Sequence, residues 1–484
     1  MLRYAALAVA AIAPLVAAQN SETVLGVYMF HRHGDRTAKS TPPANLTDLG
    51  YLQVYTSGQY YRNRYIASNA SLKINGINSD IVKQSQIAVT APDDTVLQNS
   101  ALGFLQGLYP PVGDSLGSAT LRDGTNVTSP MNGYQLIPVD LVSAGTGSED
   151  SGWLQSTSNC AKATISSNDY FNSAEYLNDL NRTNDFYQNI LPVINGTFDA
   201  SQDSFKNAYT IFDLINVAEI HNRTIDSSDL LTQDTLFQLR TLADTHEWAL
   251  AYNASDNARS IAGKTLAAQI VQFLNGTITG NGKQKIGIQF GAYASFLSFF
   301  GLADLPAADP DFRGVTDYAS AMTFELFTNT TATVSSTSYP SADEMYVRFL
   351  FHNGTTNSTS EPVAYPLFGT QQDTISWNDF TGAMGKFAIG DTKDWCNACG
   401  NFTGTCAAYA PDGSGSASAQ STEGSGSGNG LSAAVNGVIG AMVTLAVVLG
   451  VEALILALGG FRVVSKKRAQ SPATSISENA AGKA

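Results

Sequence analysis

A histidine lies between two arginines near the N-terminus, within residues 31–37 (HRHGDRT). Guanidinium groups match phosphate oxygens two at a time and stay charged at any working pH. A neutral imidazole between them can attack phosphorus and hold the phosphoryl group as phosphohistidine until water removes it. We therefore predict phosphoryl transfer with His33 as nucleophile and with Arg32 and Arg36 as phosphate-binding residues. The arginines supply the charge stabilisation, so neither a metal nor another cofactor is predicted.

The elements around this motif are typical of an α/β layer with a parallel sheet. Residues 24–30 are a continuous apolar run of strand length, as in a strand covered on both faces. Residues 46–65 predict a helix with Thr47 as N-cap, residues 87–90 a second strand, and residues 93–108 a second helix. Ligands bind where strands end in such sheets, and the motif directly follows the first strand. We expect Gly34 to let the backbone turn tightly and approach an anion there.

The motif matches the signature Arg-His-Gly-x-Arg-x-Pro of the histidine acid phosphatase family, except that Ala38 replaces the proline. Further similar stretches are residues 46–50 (LTDLG), 62–65 (RNRY), 100–101 (SA), 104–111 (FLQGLYPP) and 394–396 (DWC). The sequence resembles a diverged, fungal-type, membrane-anchored member of this family over most of residues 19–406. The resemblance implies a phosphoglycerate-mutase-like fold, in which a mostly helical lobe of about residues 140–275 is inserted into an α/β lobe. It also implies hydrolysis of small phosphomonoesters at acid pH through phospho-His33.

The sequence lacks two elements that the family has: a proton-donor element late in the chain and a third phosphate-binding arginine. The family has a His-Asp or His-Ala-Glu element whose acid protonates the leaving alcohol, but the five histidines here precede Arg32, Gly34, Asn222, Glu247 and Asn353. Residues 288–295 (IQFGAYAS), where that element is expected, contain neither a histidine nor an acid. A third phosphate-binding arginine is also expected just before residue 100, and residues 95–98 (TVLQ) stand there instead. Loss of a general acid typically removes roughly 10²–10⁴-fold of rate.

Several acidic and histidine side chains are candidates to replace the missing family residues. Asp93 and Asp94 follow the second strand and are candidate proton donors, although two acids there would also simply cap a helix. His31 is either a second imidazole at the site or a strand-end histidine with an ordinary partner. His246 precedes Glu247, but Leu250 replaces the second zinc ligand of a zincin, so this pair is placed on a helix of the second lobe.

The missing element leaves a second function open. The chain is either an active phosphatase or a cell-surface glycoprotein that retains the fold without the proton-donor motif. Mutase chemistry is a third alternative, which secretion disfavours because the usual phosphorylated metabolites are cytosolic. The net charge of −14 argues against nucleic acid as a partner, since such binding rests on lysine and arginine.

Several features predict export. Residues 1–18 are typical of a signal peptide, with Arg3 before an apolar run and a small-residue cleavage site. Four cysteines predict two disulfides in any of three pairings, with a zinc site as the alternative. Twelve Asn-x-Ser/Thr triplets predict N-glycans, at Asn45, Asn69, Asn126, Asn181, Asn195, Asn222, Asn253, Asn275, Asn329, Asn353, Asn357 and Asn401.

The C-terminal part predicts a membrane anchor. After the ectodomain (residues 19–410), residues 411–430 are rich in glycine and serine and predict a flexible linker. Residues 435–461 are almost wholly apolar apart from Glu452 and are long enough for a single transmembrane helix. Basic residues follow at once, so residues 462–484 are predicted to be a cytosolic tail. The ectodomain would then lie at the cell surface or in the lumen of the secretory pathway.

Overall fold

The computed structural model describes residues 22–142, 160–222, 224–256, 258–330 and 333–411. The predicted signal peptide, transmembrane helix and tail lie outside these residues, as does the predicted linker apart from Pro411. No helix within the described ranges combines the length and the apolar character that crossing a membrane requires.

The described residues form a mixed α/β structure. The strands are β1 (Thr23–Arg32), β2 (Ile87–Pro92), β3 (Ser118–Thr120), β4 (Asn126–Thr128), β5 (Asp140–Val142), β6 (Ile286–Gly291), β7 (Ala321–Thr328), β8 (Met345–His352), β9 (Val363–Ala364) and β10 (Thr374–Ser376). The helices are α1 (Asp48–Tyr65), α2 (Thr95–Leu108), α3 (Gly113–Gly117), α4 (Pro130–Gly133), α5 (Ala161–Asp169), α6 (Ala174–Arg182), α7 (Asn184–Ile194), α8 (Ala208–His221), α9 (Gln233–Ala251), α10 (Ile261–Thr279), α11 (Tyr293–Leu302), α12 (Trp377–Met384) and α13 (Thr392–Cys399).

The main sheet is half parallel and half antiparallel. Its strand order is β10-β8-β7-β1-β6-β2-β5, with β9 on β8. The strands β1, β6, β2 and β5 pair in parallel, which confirms the predicted parallel sheet for this half. In contrast, β7, β8 and β10 pair antiparallel with their neighbours. The described residues between β7 and β8 contain no α-helix that could carry the chain back across the sheet, and a return of this kind makes the two strands antiparallel.

The first strand is buried on both faces, as its apolar sequence predicts. Tyr28 and Phe30 pack with the core around α10 and α11, whereas Val27 and Met29 pack with the core around α1 and α2. This alternation is the period of two of a strand. The helix after the motif also begins as predicted, because the side chain of Thr47 accepts a hydrogen bond from the backbone nitrogen of Gly50.

The helices between β5 and β6 divide into two groups. The helices α5 to α9 contribute most of a core of their own, which includes Tyr187, Phe205 and Leu239. Helix α10 packs against β1 and therefore belongs to the layer that covers the sheet. Helix α8 brings side chains from this helical region to the loop that follows β1.

All four cysteines form disulfides. Cys160 pairs with Cys399 and Cys396 pairs with Cys406. The predicted pair of disulfides is confirmed, the pairing that the sequence left open is given, and the zinc alternative was wrong. Cys160 immediately precedes α5 and Cys399 ends α13, so the first bridge joins the start of the helical region to the end of the described chain.

A fully buried carboxylate ties β7 to its surroundings. Glu325 accepts hydrogen bonds from Arg64 Nη2 (2.9 Å), Tyr65 Oη (2.5 Å) and Arg348 Nε (2.8 Å). Arg348 also pairs with Glu22 at 2.9 Å. Burial and the charge of Glu325 raise the pKa of Tyr65 well above its ordinary value, so its hydroxyl remains a donor. The cluster thus links α1, β7 and β8.

His31, near the end of β1, is fully buried among aromatic rings of the core. The His31 ring is 5.0 Å from the ring of Phe104 and 5.2 Å from that of Phe290, centroid to centroid. Its Nδ1 donates to the carbonyl oxygen of Arg32 at 2.6 Å. Burial lowers the pKa of His31 from 6.5 to about 4, with a smaller contribution in the same direction from His352.

This buried histidine predicts a pH-dependent stability. Below pH 6.5 His31 is protonated in the unfolded chain, whereas in the folded chain it is protonated only below about pH 4. The stabilisation is therefore complete above pH 6.5 and is lost as the pH falls to about 4, by about 3 kcal/mol. We expect His31→Phe to remove this component from the free energy of unfolding, measured by urea titration from pH 4 to 7. Parallel pH curves for the two proteins would contradict the prediction.

Candidate active site

The motif loop lies where three parallel strands end. β1 ends at Arg32, β6 at Gly291 and β2 at Pro92, and the three strands are neighbours in the sheet. In open α/β sheets the carboxyl ends of the strands form the ligand-binding edge. The loop after β1 therefore occupies the position at which such a fold binds its ligands.

Two glycines allow this loop to pack directly on α1. A Cβ atom on Gly34 would lie 2.2 Å from the carbonyl oxygen of Gly50. A Cβ atom on Gly50 would lie 2.0 Å from the carbonyl oxygen of Asp35. Neither position tolerates a side chain, because real Cβ contacts are not this short. Gly34 thus lets the backbone approach α1, and its expected approach to an anion stays a prediction.

The predicted nucleophile is held in one tautomer. His33 is fully buried, and its Nδ1 lies 2.8 Å from the carbonyl oxygen of Gly34. A carbonyl oxygen only accepts hydrogen bonds, so Nδ1 carries the proton in the neutral ring. The lone pair of the neutral imidazole is then on Nε2. A phosphoryl group would therefore be accepted at Nε2.

The first arginine of the motif is held between two aromatic rings. The guanidinium carbon of Arg32 lies 5.3 Å from the ring centroid of Tyr293 and 4.8 Å from that of Tyr318. Its Nη1 donates to the carbonyl oxygen of Thr316, and its Nη2 lies 3.4 Å from the hydroxyl of Tyr209. The Tyr318 ring is also 5.6 Å from the His33 ring. Arg32 and the predicted nucleophile thus both lie beside the ring of Tyr318.

The second arginine has a carboxylate partner that the sequence did not predict. Arg36 is fully buried, and its Nη1 lies 3.1 Å from each oxygen of Asp213 on α8. Asp213 also accepts hydrogen bonds from the backbone nitrogen of Lys39 (2.8 Å) and from the hydroxyl of Tyr318 (3.3 Å). A carboxylate already lies on the guanidinium that is predicted to bind phosphate. It orients Arg36 and offsets part of its charge.

Helix α8 holds the motif loop through more than Asp213. Tyr209, one turn earlier, places its hydroxyl 3.4 Å from Arg36 Nη2. Burial is the main cause that raises the pKa of Tyr209, so it remains a neutral phenol. At the end of the helix, His221 Nε2 lies 2.6 Å from Asp35 Oδ2. The conformation of the loop therefore depends on the helical region.

A cavity of 780 Å³ opens where the three strands end. Its wall includes residues that follow each strand: Lys39 after β1, Asp94 and Thr95 after β2, and Tyr293 after β6. The helical region completes the wall with Lys206, Asn207, Tyr209, Thr210, His246 and Glu247. The charged side chains of this wall are two lysines, Lys39 and Lys206, and two carboxyl groups, Asp94 and Glu247. Among the described residues, no group of three histidine, cysteine or acidic side chains has a metal-binding arrangement.

Comparison with known protein families decides the relationship. A profile of the histidine phosphatase superfamily (branch 2) matches residues 42–352, which is more than half of the chain. The chain belongs to this superfamily. The matched region begins shortly after the motif of residues 31–37, so the motif is additional support that the profile match does not include.

The curated relatives of this histidine phosphatase are acid phosphatases. It is 25% identical to bovine prostatic acid phosphatase over 317 residues, which are 62% of this chain and 73% of the bovine one. It is 26% identical to human prostatic acid phosphatase over 233 residues, which are 45% of this chain and 53% of the human one. The match thus spans only about half of the human relative.

Solved structures of phytases share the fold of this histidine phosphatase. The Citrobacter braakii phytase aligns with a TM-score of 0.52 and 13% identity, over 78% of this chain and 99% of the phytase. The apo form of Hafnia alvei phytase aligns with a TM-score of 0.52 and 12% identity, over 79% and 99%. At this identity the similarity concerns the fold alone.

Of the two acids predicted as candidate proton donors of this histidine phosphatase, one lines the cavity and the other is exposed to solvent. Asp94 is the N-cap of α2, where Oδ1 accepts from the backbone nitrogens of Val96 (2.9 Å) and Leu97 (3.0 Å), and it lines the cavity. Asp93 is exposed, and its backbone nitrogen donates to Val142. The capping role explains Asp94 without catalysis. A proton-donor role for either residue stays a prediction.

The end of β6 carries a tyrosine where the histidine phosphatase family has its late element. The Tyr293 hydroxyl donates to Glu247 Oε2 at 2.8 Å. Glu247 lies on α9, in agreement with its predicted position on a helix of the second lobe.

Sequence reasoning also missed Asp213 and Tyr209. The only local signal was polar residues four positions apart on a helix, which gives no indication of the partners they meet.

Proposed function

We propose that this histidine phosphatase is an acid phosphatase that hydrolyses phosphomonoesters through a phosphohistidine at His33. The observation that carries the proposal is the tautomer of His33. Its Nδ1 donates to the Gly34 carbonyl oxygen, so the lone pair of the neutral ring is on Nε2, and the His33 ring and both arginines lie around the ring of Tyr318. The acid phosphatases among its relatives support the same reaction.

The residues of the loop have different roles in phosphoryl transfer. Arg32 and Arg36 would bind the phosphoryl oxygens and stabilise the charge of the transition state. His33 Nε2 attacks phosphorus as the bond to the ester oxygen breaks, and water later attacks the phosphohistidine and returns the ring to its neutral form. Because Asp213 already offsets part of the charge on Arg36, we expect weaker binding of phosphate than by an arginine that lacks a carboxylate partner.

The same proposal places the protein in the secretory pathway as a membrane-anchored glycoprotein with a lumenal or extracellular body. Two observations support it. The cysteines form two disulfides, which persist in oxidising compartments. None of the twelve sequon asparagines is buried, and eight of them are exposed, so a glycan could be attached at each without opening the core. The signal peptide (1–18), the anchor (435–461) and the helical lobe inserted into a phosphoglycerate-mutase-like fold belong to this proposal.

The alternative function is a cell-surface glycoprotein that retains the fold and has lost useful catalysis. The pairing of Arg36 with Asp213 favours it, because a resident carboxylate competes with substrate for the guanidinium. The absence of a His-Asp element from the sequence points the same way.

The decisive experiment is to trap the covalent intermediate. We expect the secreted, glycosylated protein to release phosphate from p-nitrophenyl phosphate between about pH 3 and 7, around the ordinary carboxyl and imidazole pKa values. Quenching in alkali during turnover should leave one phosphoryl group on the peptide that contains His33, detected by mass spectrometry. Alkali is used because the nitrogen–phosphorus bond is lost in acid.

Two results would contradict the proposal. Phosphate release no faster than that of a heat-denatured sample would favour the non-catalytic alternative. A phosphoryl group on a peptide without His33 would mean that another nucleophile is used.

A further inference from the structure

The cavity beside the motif contains a carboxyl group that the reaction so far has not used. Glu247 lies on α9, and its side chain lines the cavity of 780 Å³ together with Tyr293. The sequence has no acid at the end of β6, where the family provides its proton donor. The helical region brings an acid to that place from another part of the chain.

Glu247 is held at both oxygens. Oε2 accepts a hydrogen bond from the Tyr293 hydroxyl at 2.8 Å, and Oε1 lies 2.8 Å from Nδ1 of His246. The His246 ring is buried among aromatic rings, with centroids 5.4 Å from Phe205 and 6.0 Å from Phe171. The carboxyl group is therefore fixed at the cavity wall and does not move freely with its side chain.

The contacts of Tyr293 connect this carboxyl group to the phosphate-binding arginine. The Tyr293 ring that donates to Glu247 lies 5.3 Å from the guanidinium carbon of Arg32. Lys39 Nζ lies 5.4 Å from the ring centroids of both Tyr209 and Tyr293, on the same cavity wall. Arg32 itself lines a second cavity, of 440 Å³, and Tyr209 belongs to the walls of both cavities. For Glu247 to reach the leaving oxygen, a phosphomonoester bound at Arg32 must extend past Tyr209 toward the first cavity.

We propose that Glu247 is the proton donor to the leaving group and that Tyr293 positions it. The inference rests on the proposed function. As the Nε2 lone pair of His33 forms the bond to phosphorus, the phosphorus–oxygen ester bond breaks and its electron pair remains on the leaving oxygen. That oxygen takes the proton of the Glu247 carboxyl group, which becomes a carboxylate. The carboxylate then takes a proton from the attacking water as the phosphorus–nitrogen bond breaks and its electrons return to Nε2.

A comparison of leaving groups tests this role. p-Nitrophenolate is a stable leaving group and needs little protonation, whereas the alkoxide of glycerol 2-phosphate needs a proton. For Glu247→Gln we expect kcat on glycerol 2-phosphate to fall by roughly 10²–10⁴-fold and kcat on p-nitrophenyl phosphate to fall by less than about 10-fold. The retained activity on the nitrophenyl ester also shows that the variant folds.

Asp94→Asn provides the matched control, because Asp94 lines the same cavity and asparagine preserves its helix cap. We expect this variant to change kcat on the two esters by the same factor. If Glu247→Gln lowered kcat on both esters by the same factor, the inference would be overturned. It would also be overturned if Asp94→Asn lowered kcat on glycerol 2-phosphate selectively. Failure of the proposed function is distinguishable, since the wild-type protein would then hydrolyse neither ester, or would do so without phosphorylation of the His33 peptide.

Discussion

Replacement of His33 by alanine is expected to lower kcat/KM for p-nitrophenyl phosphate by roughly 10⁴–10⁶-fold, the range seen when a covalent nucleophile is removed. Of the three residues predicted to act on the phosphoryl group, only His33 can form a bond to phosphorus, since Arg32 and Arg36 remain protonated. The arginines would still bind the phosphoryl group, so the loss should appear in kcat much more than in KM. Initial rates of nitrophenolate release at acid pH measure both constants.

A second histidine provides the control for this variant. His352 ends β8, where its ring contacts the carbonyl oxygen of Gly354 and the hydroxyl of Ser360. We expect His352→Gln to retain activity close to that of the wild-type protein. If His33→Ala retained more than about a tenth of the wild-type rate, His33 would not be the nucleophile.

Replacement of Glu325 by alanine is expected to lower the free energy of unfolding by about 3 kcal/mol or more. The carboxylate is fully buried, and its removal leaves Arg64 and Arg348 facing one another without an anion between them. Breaking a buried ion pair from one side typically costs about 3–5 kcal/mol. Both guanidinium groups are partly exposed, which places the expectation at the lower end of that range. Urea unfolding followed by circular dichroism measures the change.

Glu361→Ala is the control for this loss, because Glu361 is exposed and should change the free energy of unfolding by at most about 0.5 kcal/mol. Comparable values for the two variants would mean that the cluster around Glu325 contributes no more than a surface pair. Catalytic constants of folded Glu325→Ala should remain unchanged, since Glu325 contacts α1 and β8 and none of the motif residues.

The sequence predicted the elements that carry their own local signals. The apolar run of β1 identified a strand covered on both faces, and Thr47 identified the start of α1. The placement of the motif at the sheet edge followed from its position directly after that strand. Each of these inferences depends on residues close together in the chain, where periodicity and capping chemistry act.

The parts that could not be predicted depend on contacts between distant residues. Asp213 lies 177 positions from Arg36, and Tyr293 lies 46 positions from Glu247. Nothing in the spacing of either pair distinguishes a buried partner from a solvated surface acid. The antiparallel half of the sheet was missed for a related reason: strand direction depends on how the connection returns, which apolar patterning does not reveal.

The position of β1 in the sheet has a consequence for biosynthesis. This strand is the first element of the described residues, but its two neighbours are β6 and β7, which begin at Ile286 and Ala321. While the ribosome extends the chain, the strand that leads into the motif loop has no sheet partner until more than 250 further residues have been made. Unpaired apolar strands are prone to aggregate. The growing chain is therefore most exposed to aggregation through β1 during this interval, and an N-terminal fragment that ends before β6 lacks both sheet partners of this strand.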